Sequence, residues 1–111
     1  MTIDNREIIL VLTNLPAEAA AKRLADVLIE GRLAACVNIL AGCTSVYRWE
    51  GSIESSTEVP MLIKTTRSAY ARVEQEILAH HPYELPEIIS VPVSAGLPAY
   101  LDWVAAETAA R

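Results

Sequence analysis

Two histidines stand side by side, His80 and His81, and they are the only ones in the chain. Neutral imidazole is a common ligand of copper, zinc and nickel, so the pair can meet a divalent cation. The same residues also suit a helix end, where histidines bond free carbonyls and complement the dipole. Adjacent helical side chains point about 100° apart, so one ion takes both rings only where the helix frays. The second group of interest is Cys36, Glu58 and Lys64, which fall on the less apolar parity of two neighbouring strands. If neither strand is bulged, the three share one sheet face. A thiol, a carboxylate and an amine so placed could hold a small anionic or zwitterionic ligand, or a soft metal at Cys36. Alternatively the lysine and glutamate pair with each other inside an interface.

Other chemistry is poorly served. Cys36 has no histidine near it in sequence, and none of the four glycines stands at the spacing of a phosphate loop. Cys36 and Cys43 do not have the spacing of a zinc site. The chain is therefore read as a non-enzyme. A formal net charge of −5 opposes nucleic acid and anionic membrane as partners, because both need clustered positive charge. The polar stretch Met1 to Glu7 lacks a signal-peptide pattern, and the longest apolar run, Ile8 to Leu12, is too short to cross a bilayer. In an extended segment the two cysteines lie roughly 23 Å apart, beyond disulfide reach. Free thiols place the protein in the cytoplasm.

These residues must be positioned by a chain of 111 residues, 52% hydrophobic and 21% charged, which is the make-up of one globular domain over residues 1–111. Ile8–Thr13 is β-rich and apolar at both parities, as in a strand covered on both faces. Asn14-Leu15-Pro16 starts a helix with proline in its first turn, Ala17, Ala20, Ala21, Leu24, Val27 and Leu28 form its stripe, and Gly31 ends it. A strand from Ala35 to Tyr47 leads through a Glu50-Gly51-Ser52 turn into a returning strand, where Pro60 belongs at an edge or a bulge. Ser68 caps a second helix that Pro82 ends. Ile88–Val93 is the last strand, and Pro98 opens a final helix with Leu97, Tyr100, Leu101 and Val104 as its apolar face. The order fits an α+β, ferredoxin-like βαββαβ sandwich with an added C-terminal helix and a long hairpin between its second and third strands.

Two features point beyond one chain. Helices in this fold cover a single sheet face, yet the first strand is apolar on both. The second strand, if straight, is about 43 Å long, against a domain about 34 Å across. The hairpin must either kink at Gly42 and fold back or project with Tyr47 and Trp49 near its tip, and a projecting edge calls for pairing with another copy.

From about Ile8 to Val104 the sequence resembles the CutA divalent-cation tolerance proteins. The pieces that carry the resemblance are Leu33-Ala34-Ala35-Cys36-Val37-Asn38, Ser45-Val46-Tyr47-Arg48-Trp49-Glu50-Gly51, Ile63-Lys64-Thr65, His81-Pro82-Tyr83 with Pro86-Glu87, and Tyr100-Leu101-Asp102-Trp103. The resemblance implies the ferredoxin-like fold, a tight homotrimer with hairpins paired between subunits, and a part in the tolerance of copper or another divalent metal ion, with no cofactor needed for folding. It implies metal binding at His80 and His81, while the cysteine ligand of bacterial copper sites falls on Thr13, a poor Cu(I) ligand. It also places Trp49, Tyr83, Glu87 and Trp103 with Cys36, Glu58 and Lys64 in an intersubunit cleft. By fold analogy, the rival function is a trimeric small-ligand sensor or signalling adaptor of PII-like architecture; a third is a structural trimer that meets another protein.

Overall fold

The computed structural model describes residues 7–109. Met1–Arg6, on which most of the reading of the N-terminal stretch rests, lie outside the described residues. The elements in order are β1 (Ile8–Leu15), α1 (Glu18–Glu30), β2 (Cys36–Ile39), β3 (Cys43–Trp49), β4 (Ser52–Thr66), a 3₁₀ turn at Arg67–Ala69, α2 (Tyr70–His80), β5 (Ile88–Pro92) and α3 (Pro98–Glu107). The strands form one antiparallel path, β2-β4-β1-β5, with β3 paired to the outer half of β4. This is the ferredoxin-like sandwich with its extra C-terminal helix.

Alternation along β1 and β4 sorts side chains to the two sheet faces. Val11, Leu15, Met61 and Ile63 face Leu24, Leu28, Val73 and Ile77, and none of the eight has measurable exposure. Helices α1 and α2 therefore cover this face. The other face carries Leu10, Leu12, Leu62, Ile89 and Val91, all at least partly exposed. Its end near Lys64 is covered by α3, which packs on β4 and β1 with Val104 buried and Arg32 Nη2 donating to the Ala106 carbonyl at 2.9 Å.

The predicted long second strand is broken. Residues Leu40, Ala41 and Gly42 face only Val59 and Pro60, since Ile39 pairs with Met61 and Cys43 with Glu58. One extra residue on one strand is a β-bulge. Leu40 donates to the Pro60 carbonyl at 2.9 Å, and proline has no N–H to return. A proline is thus tolerated in a central strand because its missing donor faces the bulge. Beyond it, β3 and outer β4 project as an arm, and the molecule extends 45 Å along its longest axis against 29 and 23 Å across. The arm closes in a two-residue turn with Glu50 at φ 50° and Gly51 at φ 82°, the left-handed pair that a tight hairpin needs.

Three local expectations shift. Helix α1 begins at Glu18, because β1 runs on to Leu15 to complete its pairing with Val59, leaving Pro16 in the bend. Ser68 lies inside the 3₁₀ turn, where its hydroxyl is 3.2 Å from that of Thr66 and caps nothing. On α3 only Val104 is fully buried, while Leu97 and Tyr100 are exposed.

Candidate functional site

Asn14, at the end of β1, holds both ends of the loop that joins α2 to β5. Its backbone carbonyl accepts from His81 Nε2 at 2.6 Å, and its side-chain amide donates to Glu87 Oε1 at 3.2 Å. His81 is extended (φ −93°, ψ 131°), as the residue before a proline prefers, which ends α2 and turns its ring toward β1. Its Nδ1 accepts the Tyr83 N–H at 3.2 Å, and the two rings pack 4.7 Å apart. Tyr83 then reaches Glu58, buried on β4 where the arm begins. Burial and the hydrogen bond to Glu58 raise the Tyr83 hydroxyl above its ordinary pKa of 10.0, with the Glu58 charge and Tyr47 adding to the effect. Tyr47 in turn donates to Ser56 at 3.3 Å.

The second half of the expected cleft lies elsewhere on the same face. Cys36 is directly opposite Lys64, whose ammonium sits 5.9 Å from the centre of the Tyr100 ring, within cation–π range. Tyr100 packs on Trp103 at 5.6 Å. Glu58 is six residues away, about 20 Å along β4. Trp49 stands further out, next to the turn of the arm. Within one chain the seven cleft residues thus form two groups, Glu58–Tyr83 with Glu87 nearby and Cys36–Lys64 with Trp103, and Trp49 joins neither. The shared face of Cys36, Glu58 and Lys64 is as the parity indicates.

The histidines are divided. His80 Nδ1 lies 2.9 Å from the Glu76 carbonyl and 3.6 Å from its carboxylate, closing the last turn of α2 with its side chain 39% exposed. His81 uses one ring nitrogen as donor and the other as acceptor, so it has no lone pair left for an ion. Thr13 is 1% exposed on the helix-covered face, its hydroxyl without a partner. The three positions of the expected copper site therefore serve three different surroundings. Among the described residues no three His, Cys, Asp or Glu side chains are grouped as a metal would require.

The family model described as CutA1 divalent ion tolerance protein matches residues 9–107, from β1 to the end of α3. The chain belongs to the CutA family. The divalent-cation tolerance protein CutA of Thermus thermophilus is 44% identical over 98 residues, covering 88% of this chain and 95% of that one. Mouse protein CutA is 46% identical over 89 residues, and there the match spans 80% of this chain but only 50% of the relative. The solved structure of the T. thermophilus protein superposes with a TM-score of 0.90 at 42% identity over 92% of this chain and 99% of that one. CutA1 from a psychrotrophic Shewanella gives 0.91 at 39% identity, over 94% and 97%. The chain thus stands among CutA proteins described by ion tolerance rather than by a catalysed reaction.

Asn14, which ties the candidate site together, does not stand out in the sequence, because Asn-Leu-Pro reads as a helix start. The available signal was the strand itself: an apolar run that continues to Leu15 leaves Asn14 on the open face beside the loop.

Proposed function

We propose that this CutA chain acts as a cytoplasmic homotrimer in divalent-cation tolerance and meets copper, or a related ion, at the exposed end of α2. The observation that carries the reading is the apolar sheet face that α1 and α2 leave open, continued by Trp103 and Tyr100 on α3 and by the projecting arm. Apolar surface on that scale, next to unpaired strand edges, is what a self-association interface buries. Family membership supports the role in tolerance. The cytoplasmic setting is supported by Cys36 and Cys43, both unpaired. Their β4 partners, Lys64 and Glu58, are about 20 Å apart, which keeps the thiols beyond disulfide reach.

His80 Nε2 is the proposed donor, and imidazole suits Cu(II). A single nitrogen per chain makes binding exchangeable rather than resident. A Cu(II) titration against a calibrated chelator tests this on wild type and His80→Ala. Competitive binding lost in the variant supports the reading; equal binding in both removes copper from it. Scattering-based mass tests the assembly, with about three chains expected and a single chain overturning it.

The alternative is a small-ligand cleft between subunits, favoured by Lys64 over Tyr100 at one end of the open face and Glu58–Tyr83 at the other. It predicts a metabolite that raises the melting temperature and fails to do so with Lys64→Ala.

A further inference from the structure

We propose that His81 is the positioning residue for the Glu58–Tyr83 pair, and that its imidazole is kept for this task rather than for a metal ion. Three constraints fix the ring at once. Nε2–H donates to the Asn14 carbonyl at 2.6 Å, Nδ1 accepts from the Tyr83 amide at 3.2 Å, and the ring packs on the Tyr83 ring at 4.7 Å. The carbonyl can only accept and the amide can only donate, so a single neutral tautomer, protonated at Nε2, satisfies both. An ion at Nδ1 would displace the Tyr83 amide, and an ion at Nε2 would displace the Asn14 carbonyl. Either would leave a half-buried backbone group without its partner.

The consequence reaches Glu58. Tyr83 is held by its own backbone and ring, so the side chain that interacts with Glu58 is fixed at its base. His81 thus bonds the end of β1 to the loop after α2, from Asn14 to Tyr83, on the side of the sheet where Glu58 is buried at the root of the arm. His80, one residue earlier, has none of these ties beyond its own helix. The adjacent histidines therefore divide the two tasks that the sequence left open for both.

Glutamine separates the two roles, because its amide offers one donor and one acceptor at a spacing similar to the ring nitrogens while ligating metals poorly. The experiment compares wild type, His81→Gln and His81→Ala by hydrogen-exchange protection of the Tyr83 amide and by Cu(II) affinity under chelator competition. The Tyr83 amide is expected to stay protected in wild type and His81→Gln and to exchange at least about tenfold faster in His81→Ala. Cu(II) affinity is expected to agree within about twofold in all three proteins. A loss of affinity of about tenfold or more in His81→Gln, or unchanged Tyr83 protection in His81→Ala, overturns the proposal. If His81→Ala does not fold, His81→Gln still decides it. Retained protection with retained affinity supports the positioning role, and lost affinity refutes it. The His80→Ala titration reads the copper proposal separately, so the two can fail independently.

Discussion

The two faces of the sheet are built from the same strands with similar residues, yet they end in opposite states. Val11, Met61 and Ile63 have no measurable exposure beneath α1 and α2, whereas their immediate neighbours Leu10, Leu12 and Leu62 are partly open on the other side. Burial by helices within the chain fixes the first face irrespective of concentration. Among the described residues the second face has no helix over Leu10, Leu12 and Leu62, and its apolar side chains stay partly open within one chain. The difference teaches that hydrophobicity alone does not locate a core: connectivity decides which apolar face the chain can cover itself.

Substitutions on neighbouring residues sharpen that contrast. Ile63→Ala should lower unfolding free energy by about 2–5 kcal/mol in denaturant melts, because it empties a filled core. Leu62→Asp, one residue away, should leave a folded chain that scatters light as a monomer. If it instead unfolds the chain, as a charge at position 63 would, the two faces are not distinct. Two threonines on the closed face give a finer comparison. Thr65 donates to the Leu33 carbonyl at 2.6 Å, so Thr65→Val should cost about 1–3 kcal/mol by orphaning that acceptor. Thr13 has no partner, so Thr13→Val should be neutral or stabilising by about 1 kcal/mol, measured in the same melts. A loss at both positions would mean that the Thr13 hydroxyl has a bond after all.

A smaller effect is expected in the arm, where Glu50 occupies a left-handed position better suited to asparagine. Glu50→Asn should gain about 0.5–1 kcal/mol, with no change in the body. Alkaline pH probes the edges of both faces. Tyr70, through burial and its 2.8 Å bond to Glu74, and Tyr83, through burial and Glu58, both have raised hydroxyl pKa values. Their contribution is complete below the unfolded value of 10.0 and is lost as pH rises through the raised folded values. Tyr70→Phe should flatten the alkaline fall in melting temperature, and an unchanged slope would mean that Tyr70 ionisation does not contribute to it.

Much of this architecture is legible from local signals that tertiary packing leaves alone. The Glu50-Gly51 turn, the end of α2 before Pro82, Pro98 at the start of α3 and the shared face of Cys36, Glu58 and Lys64 all follow from backbone chemistry or strict alternation. The arm is harder to read. Counted straight through, Tyr47 and Trp49 share parity with Val37 and Ile39 and belong beneath the helices. The extra residue at Leu40–Gly42 reverses that, setting Cys43, Tyr47 and Trp49 on the same side as Glu58. A bulge leaves only a faint trace in sequence, here Gly42 on one strand and Pro60 on its neighbour. The bonds of Asn14 and His81 are less legible still, since they join positions 67 residues apart through a carbonyl that carries no residue-specific signal.

The bulge also makes the arm a cantilever. β4 is its beam, continuous from the tip into the middle of the sheet, while β3 is spliced on at a joint held by the one-way bond from Leu40 to Pro60. A pull on Trp49 is therefore carried inward along β4, past Glu58, to the pairing of Pro60 with Asn14. That residue also fastens both ends of the 81–87 loop. The tip of the arm is thus joined along one continuous strand to the loop where His81, Tyr83 and Glu87 are held.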